Sequence, residues 1–310
     1  MRGRDLPARS PQHAVTRRSG EIRIGISGWH YAPWRGVFYP EGLPAHAQLA
    51  FAAERFRSIE VNGTFYRLQR PEDFERWDSQ TPANFVFALK GPRYITHMLK
   101  MRRLTAPLAN FLASGPLRLG AKLGPLLWQF PPALRFDAAR FRAFLERLPH
   151  DTKAALALAR RHDARVSRRS WLHCEVSQQL RHAVEIRHES FRDMAFIDLL
   201  REHNVALVCA DTVEWPLLMD LTADFVYCRL HGSRQLYSSG YGPAALATWA
   251  RRVRAWAAGR EAPAAQRAGG PTPPRSGGRD VYLYFDNDAK VRAPADAAAL
   301  IRALNGARRR

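Results

Sequence analysis

Cysteine is nearly absent from this sequence, with 3 residues, Cys174, Cys209 and Cys228, in a chain of 310. An odd count without any CxxC spacing argues against a framework of disulfide bonds. Cys209 and Cys228 lie inside apolar runs. We therefore expect them to be inert, buried thiols.

Long apolar runs are missing as well. No stretch of the sequence approaches the ~20 apolar residues that a membrane-spanning helix needs. Residues 1–20 carry charge but lack the apolar segment that marks a signal peptide. These absences lead us to expect a cytoplasmic protein that does not contact a membrane.

Acidic residues are scarce relative to basic ones, because 28 Asp and Glu face 48 Lys and Arg and leave a net charge of +20. Such an excess attracts nucleic acid or another polyanion. The joint richness in Ala and Arg also fits a GC-rich coding sequence, which would give the charge no function. Part of the charge lies in residues 308–310 and in residues 1–20, which we predict to be a disordered basic tail.

Eight short apolar runs recur along the chain, and helical patterns separate them. The runs occupy residues 22–27, 58–62, 85–90, 125–129, 183–187, 205–211, 225–231 and 281–286. Among the helical patterns, Asp137 is a plausible N-cap of one helix and Ser190 of the helix after the fifth run. The alternation predicts an α/β protein with a single (β/α)8 TIM barrel over residues 21–307.

The competing fold is a doubly wound open sheet. Such a sheet would not need eight units and would usually carry a glycine-rich phosphate loop after an early strand. Neither GxGxxG nor GxxxxGK[ST] occurs in the sequence. The Pro- and Gly-rich residues 259–279 are predicted to be a flexible linker loop before the last strand, inside the same domain.

Polar residues end nearly all of the eight runs, and strand alternation places them on one side. In the fifth run Glu185 and Arg187 share a face, and in the seventh Arg229 and His231 do. Strand alternation places the following residues on the same side as these four: Ser27, Glu60, Asn62, Lys90, Gln129, Asp211 and Asp286. Barrel enzymes build their active sites at the C-terminal ends of the strands. The sequence therefore predicts a site at this mouth of the barrel.

The segments that follow the runs carry a resemblance to a known family. They read SGWHYAPW at 27–34, EVNGTFY at 60–66, KGPRYITH at 90–97, QFPP at 129–132, EIRH at 185–188, RLHG at 229–232 and YFDND at 284–288. With these motifs the chain resembles the YecE-like family, catalogued as domain of unknown function 72, from about Glu21 to Leu304. The resemblance implies a TIM barrel and no settled reaction.

The first functional hypothesis is an enzyme that acts on a small anionic, phosphorylated substrate, with phosphoester hydrolysis of a nucleotide or nucleic acid as the specific reaction. Arg187 and Arg229 would grip phosphate oxygens and Lys90 would add a point charge. The catalytic candidates are Glu60 and Glu185 as general base, His231 as its acid or base partner, and Asp211. The substrate-binding candidates are Ser27, Trp29, Tyr31, Asn62, Tyr66, Lys90, Arg93, Gln129, Arg187, Arg229, Tyr237, Tyr241, Asp286 and Asn287.

Three other interpretations stay open. The charged set could be a structural salt-bridge network, since buried charges must be paired. The protein could bind nucleic acid or nucleotides without catalysis, through Arg-rich tails and an aromatic mouth. It could also be a sugar-phosphate isomerase or epimerase, and Lys90 could form a Schiff base.

A resident metal is not part of the prediction. His231 and four carboxylates, Glu60, Glu185, Asp211 and Asp286, could supply ligands to Zn²⁺ or Mn²⁺. The sequence contains no HExxH motif and no paired-His spacing. The cofactor is therefore left open.

Overall fold

Eight parallel strands close into a barrel in the computed structural model, which describes residues 19–232 and 235–306. The strands are β1 Ile22–Ser27, β2 Ser58–Val61, β3 Val86–Lys90, β4 Leu123–Gln129, β5 His182–Glu185, β6 Ala206–Asp211, β7 Phe225–Leu230 and β8 Asp280–Phe285. Each strand pairs with the next, and β8 pairs with β1 so that Ile22 lies opposite Val281. All eight predicted runs overlap a strand, which confirms the TIM barrel.

Helices connect the strands and cover the outside of the barrel. They are α1 Gln48–Ala53, α2 Gly63–Tyr66, α3 Pro71–Ser79, α4 Thr105–Ala113, α5 Ala138–Leu145, α6 Thr152–Ala159, α7 Met194–Glu202, α8 Pro243–Ala257 and α9 Arg292–Gly306. Asp137 caps α5 as predicted, because its carboxylate accepts the backbone N–H of Arg140. The predicted cap of α7 is wrong: Asp193 caps that helix, and Ser190 lies in a short turn before it.

Strand alternation separates two cores. The outward side chains pack beneath the helices in one large apolar core. The inward side chains form a smaller apolar cluster that contains Val86, Ala88, Leu127, Ala183, Ala206, Val208, Ala210, Tyr227 and Tyr284. Toward the C-terminal ends of the strands the inward positions are ionisable, and Glu60, Glu185 and Arg229 are fully buried there.

Strand β6 lacks the contrast between a polar and an apolar face that the other strands show. The inward positions of β6 are the small apolar Ala206, Val208 and Ala210. Asp211 therefore points outward, where its Oδ2 accepts the indole N–H of Trp249 in α8 at 3.0 Å. The prediction that Asp211 joins the inner polar residues is wrong, because both faces of this strand are apolar and the sequence pattern does not distinguish them.

The segment 259–279 lies between α8 and β8 without forming a helix or strand. The carboxylate of Asp220 accepts the backbone N–H groups of Ala268 and Gly269 at 2.9 and 2.8 Å, and the carboxylate of Glu261 accepts that of Thr272. Cys209 and Cys228 are buried free thiols, as predicted. The predicted basic tail, up to residue 18, and residues 308–310 lie outside the described part of the chain. In the described part, the helices are too short or too polar to cross a bilayer.

Candidate functional site

The centre of the barrel mouth is a buried network around Arg229. Its guanidinium donates to Glu60 through Nε and Nη2 at 3.0 and 2.9 Å, to Glu185 through Nη1 at 2.7 Å, and to Asp286 through Nη2 at 2.7 Å. The Ser27 hydroxyl, which accepts a further bond from Arg229 at 3.2 Å, donates to Glu60. Three carboxylates, each at or just beyond the end of a different strand, thus converge on one cation.

Arg187 and His231 extend this network. Arg187 donates to Glu185 Oε1 through Nε at 2.8 Å, and its guanidinium carbon lies 3.9 Å from the ring centre of Trp215. His231 is fully buried, with Nδ1 3.0 Å from Asp286 Oδ2 and Nε2 3.8 Å from Glu185 Oε2. The rings of Trp215 and Tyr237 pack edge-on against the imidazole, which separates it from the solvent.

The network's arginines determine how its carboxylates ionise. Burial would raise the pKa of Glu185, but the neighbouring Arg229 and Arg187 hold that pKa well below its usual range. Burial acts likewise on Asp286, and Arg229 with His231 lowers the pKa of that carboxyl as well. A carboxylate with a depressed pKa is a weak base. Arg229 directs Nε, Nη1 and Nη2 to carboxylates, and Arg187 directs Nε and Nη2 to Glu185. The geometry therefore does not favour these arginines as phosphate ligands or Glu185 as the general base.

A cavity of about 870 Å³ opens above the network and extends outward beside α3. Its wall contains seven of the predicted site residues, Trp29, Tyr31, Asn62, Tyr66, Lys90, Tyr237 and Asp286. Gly28 turns the chain at the end of β1 with φ of +86°, and a Cβ at this position would lie 2.7 Å from the Tyr31 hydroxyl. That hydroxyl donates to the Ser27 carbonyl at 2.6 Å, so glycine at 28 allows the aromatic loop to fold over the mouth.

Lys90 ends β3 at the floor of this cavity and is only 7% exposed. Its carbonyl accepts the Thr64 hydroxyl at 2.7 Å, which holds the strand end, and its Nζ lies 4.3 Å from the ring centre of Phe65. Within residues 19–232 and 235–306 this amine makes no hydrogen bond and no ion pair. Burial, aided by the charge of Arg229, lowers the pKa of Lys90 to about 8.

Asp288 lines the same cavity and was not among the predicted site residues. Burial, followed by the nearby charge of Asp286, raises the pKa of Asp288 to about 8. Its Oδ1 is buried without a hydrogen-bond partner in the part of the chain that is described. Near neutral pH this carboxyl therefore holds a proton that it can donate. The sequence contains a signal for Asp288: in YFDND (284–288) it lies two residues after Asp286, and alternation places such residues on the same face.

Several predicted residues lie away from the cavity. Asp211 is on the helix side, where Tyr241 is also buried, its hydroxyl accepting the Gly232 N–H at 3.1 Å. The amide of Asn287 donates to the carbonyl of Ser239 and the carboxylate of Asp296. The remaining predicted residues outside its wall are Ser27, Glu60, Gln129, Glu185, Arg187, Arg229 and His231, in or beside the network, and Arg93, in a neighbouring groove.

Two further buried residues complete the network and were not predicted. Tyr227 donates its hydroxyl to Glu60 Oε2 at 2.6 Å, and Tyr284 packs against the Tyr227 ring. Tyr227 lies two residues before Arg229 and Tyr284 two residues before Asp286, so each tyrosine shares the inward face of that charged residue. No group of three or more His, Cys, Asp or Glu side chains in the described ranges is arranged to hold a metal ion.

Comparison with known proteins identifies the family of this chain. Residues 23–310 match the model of the family described as "Protein of unknown function DUF72". YecE of Escherichia coli K12, described as a UPF0759 protein, is 32% identical over 127 residues, which are 36% of this chain and 44% of YecE. YunF of Bacillus subtilis is 27% identical over 116 residues, which are 36% of this chain and 40% of YunF. These alignments span less than half of each curated relative.

Solved structures agree with this family. A DUF72 protein of Thermotoga maritima has a TM-score of 0.67 at 22% identity, over 92% of this chain and 99% of that chain. A DUF72 protein of Enterococcus faecalis has a TM-score of 0.62 at 16% identity, over 92% of this chain and 95% of that chain. Both show the shared fold. With the family match over nearly the whole chain, this protein belongs to the DUF72 family, as the resemblance in its motifs predicts.

Proposed function

We propose that this protein is a cytoplasmic enzyme that binds an anionic, phosphorylated small molecule in the barrel mouth and hydrolyses its phosphoester bond. The observation that carries the proposal is the Lys90 amine, which lies at the cavity floor over the ring of Phe65 and makes no hydrogen bond and no ion pair among the described residues. A largely buried cation without a hydrogen bond or ion pair is costly, and a bound anion would relieve that cost. The proposal therefore moves anion binding from Arg187 and Arg229 to Lys90.

The charges around the cavity support an anion at this place. The Asp286 carboxylate lies against Arg229 and His231, and Asp288 carries a proton near neutral pH. Asp288 therefore adds no charge to the floor at that pH, and the negative charge of Asp286 is shared with the cation Arg229. Lys90 forms no ion pair with the described residues, although the charges of Asp286, Glu60 and Glu185 act on it from a distance. Lys90 is thus the cation that a bound anion would contact at the floor.

Asp288 is the general acid in the proposed reaction. Its proton passes to the oxygen of the leaving alcohol as the bond between phosphorus and that oxygen breaks. A water molecule forms the new bond to phosphorus, and its proton returns to the Asp288 carboxylate. Acid catalysis of this kind contributes roughly 10²–10⁴-fold to a rate. Tyr31, Asn62 and Tyr237 in the cavity wall would orient the substrate.

The test is a thermal-shift panel of sugar phosphates, nucleotides and simple carboxylates, followed by phosphate-release assays on the compounds that bind. A ligand at about a hundred times its Kd adds roughly 2.7 kcal/mol, which is several degrees at about 2–4 °C per kcal/mol. We expect one phosphorylated class to shift the wild type and the control Lys153→Met, an exposed lysine, but not Lys90→Met. Equal shifts in Lys90→Met would reject the proposal.

A second candidate function is a reaction through a Schiff base at Lys90. A lysine amine in a desolvated site, with its pKa lowered toward neutrality, is a nucleophile toward carbonyl compounds. The Lys90 amine favours it, because it makes no hydrogen bond or ion pair among the described residues and burial lowers its pKa to about 8. Borohydride added with a panel of aldehyde and ketone sugars would attach a reduced adduct to Lys90, seen by peptide mass. An unmodified Lys90 throughout would remove this candidate.

A further inference from the structure

An exposed aromatic groove lies next to the barrel mouth. Tyr66, Tyr94 and Met98 are 67%, 37% and 64% exposed, although large apolar side chains usually avoid water. All three line one cavity of about 350 Å³ between α2 and α4. Exposed apolar surface that is gathered in a concave place marks a binding site more often than scattered residues do.

The same groove is positively charged. Arg67, Arg93 and Arg165 line it, and none of the acidic side chains in the described part of the chain does. The guanidinium carbon of Arg93 lies 5.8 Å from the ring centre of Tyr66, and that of Arg165 lies 6.0 Å from the ring centre of Tyr94. Among the described residues these three arginines form no ion pair. The groove therefore offers guanidinium groups beside exposed rings.

A strained basic loop follows Met98 along the chain. Lys100, Met101 and Arg103 have φ of 47°, 63° and 49°, values that non-glycine residues rarely adopt. The buried Met101 anchors the loop, and its N–H donates to the Ile95 carbonyl at 3.0 Å. Lys100 and Arg103 are exposed on either side of this anchor. The backbone strain thus accompanies an outward display of basic side chains, and such strain concentrates at functional sites.

The groove adjoins the mouth, because Tyr66 and Arg67 line both cavities. The end of a chain-like ligand in the groove would therefore lie next to the cavity that contains Lys90. Rings with a cation beside them suit a ligand that alternates flat bases with phosphates. An acidic peptide would satisfy the arginines but would leave the rings without flat partners.

We propose that this groove binds a single-stranded segment of nucleic acid, with bases stacked on Tyr66 and Tyr94 and phosphates held by Arg67, Arg93 and Arg165. Binding in the groove does not require the function proposed above. The placement of the strand's end at Lys90 does rest on it, and would make a terminal or flipped nucleotide the phosphorylated substrate.

The test is fluorescence anisotropy with labelled oligo(dT) and oligo(U) of 12 nucleotides on the full chain, at several salt concentrations. Replacing both rings, Tyr66→Ser with Tyr94→Ser, should weaken binding at least about tenfold, since each stacked base contributes on the order of 1–3 kcal/mol. Replacing Arg93 and Arg165 by Gln should reduce the salt slope by about 1.4, at roughly 0.7 per phosphate contact. The DNA and RNA probes distinguish the two kinds of strand.

The matched control is Arg251→Gln with Arg302→Gln, which removes two exposed arginines from α8 and α9. This control should change affinity by less than about twofold. Three results would overturn the proposal: ring variants that bind like the wild type, arginine variants no weaker than the control, or an acidic peptide that binds as tightly as the oligonucleotides. Binding that disappears only when residues 1–18 are deleted would assign the affinity to that segment and overturn it too.

Asp288→Asn distinguishes the two proposals. This variant should lose phosphoester turnover yet keep oligonucleotide affinity within about twofold, because Asp288 acts on the leaving oxygen and does not line the groove. Turnover of small phosphoesters without groove-dependent binding would reject the groove alone. Groove-dependent binding without turnover of any phosphoester would reject the enzyme alone.

Discussion

The barrel mouth contains two neighbouring charged regions that are built in opposite ways. In the inner network Arg229 is fully buried, and Glu60, Glu185 and Asp286 use its donors. In the cavity wall Lys90 has no hydrogen bond or ion pair among the described residues, and Asp288 has a buried oxygen without a hydrogen bond. The paired region has the features of a scaffold, whereas the unpaired region has groups whose protonation can change near neutral pH.

This difference shows that the position of an ionisable side chain at the mouth does not by itself make it available to a ligand. Strand ends bring ionisable residues to the mouth in both regions, yet only groups with free donors or movable protons can act on a ligand. The lowered pKa of Glu185 makes it a poor base, while the pKa values of Lys90 and Asp288 both shift to about 8 from opposite directions. Functional sites are where such shifts accumulate. We therefore place function at the cavity wall and stability at the network.

The largest effect is expected from Arg229→Met. The substitution leaves three buried carboxylates without their shared cation, and breaking a buried ion pair costs about 3–5 kcal/mol. Urea unfolding measures the loss. The control is Arg192→Met, because Arg192 is paired with Glu189 at the surface and such pairs contribute about 0–1 kcal/mol. A loss below about 1 kcal/mol in Arg229→Met would show that the network is not a scaffold.

Lys90→Met should act in the opposite direction and raise stability by about 1–3 kcal/mol at pH 6–7. The folded pKa of about 8 lies below the unfolded value of 10.5, so stability from this group is gained as pH rises through that interval. The gain over wild type should therefore shrink toward pH 10. Thermal melts across this range check the sign.

Lys122 offers the matched comparison for Lys90, since both amines are nearly buried. Lys122 Nζ donates to the carbonyls of Asp78 and Thr81 at 2.6 and 2.9 Å. Lys122→Met should therefore destabilise the protein by about 1–3 kcal/mol, because it removes these bonds and the ion pair with Asp78 and leaves the buried Thr81 carbonyl unpaired. If Lys122→Met were more stable than the wild type and Lys90→Met less stable, the view that the Lys122 amine is satisfied and the Lys90 amine is not would be wrong.

Asp288→Asn should lower kcat by roughly 10²–10⁴-fold with little change in KM, whereas Lys90→Met should mainly raise KM.

The raised pKa of Asp288 also determines how Asp288→Asn changes stability with pH. The folded pKa of about 8 exceeds the unfolded 3.8, so the wild type loses stability as pH rises between these values. Asp288→Asn should have the same melting temperature as the wild type near pH 4 and one about 2–4 °C higher near pH 8. A pH-independent difference would contradict the raised pKa.

The smallest effect is expected from Asp211→Asn. The side chain faces the helix layer, and an amide oxygen can still accept the Trp249 indole N–H. Turnover should stay within about twofold of wild type and stability within about 1 kcal/mol. A tenfold loss of turnover would return Asp211 to the site.

The barrel was predictable because a simple signal repeats in most strands. Where one face is apolar and the other polar, as with Val226 and Cys228 against Arg229, alternation assigns the faces directly. The signal disappears in β6, where Ala206 and Val208 face inward and Leu207 faces outward. Barrel interiors accept small apolar residues as readily as polar ones, so that strand offers no contrast.

The site was predictable in its location but not in its pairing. Glu60 and Arg229 are 169 positions apart, and no local pattern indicates that they meet. The burial of Asp288 depends on the loop after β1, because the Tyr31 hydroxyl that bonds Ser27 also interacts with this carboxyl. Such long-range packing decides which charges are satisfied, and alternation contains no information about it.

The most direct test of the central claim is an NMR titration of the lysine side chains, labelled with ¹³C at Cε. The chain has five lysines, Lys90, Lys100, Lys122, Lys153 and Lys290, so the spectrum is small. The resonance that disappears in Lys90→Met should titrate near pH 8 and shift when inorganic phosphate is added, while that of Lys122 should not respond to phosphate. A Lys90 resonance that titrates near pH 10.5 and ignores phosphate would contradict the account.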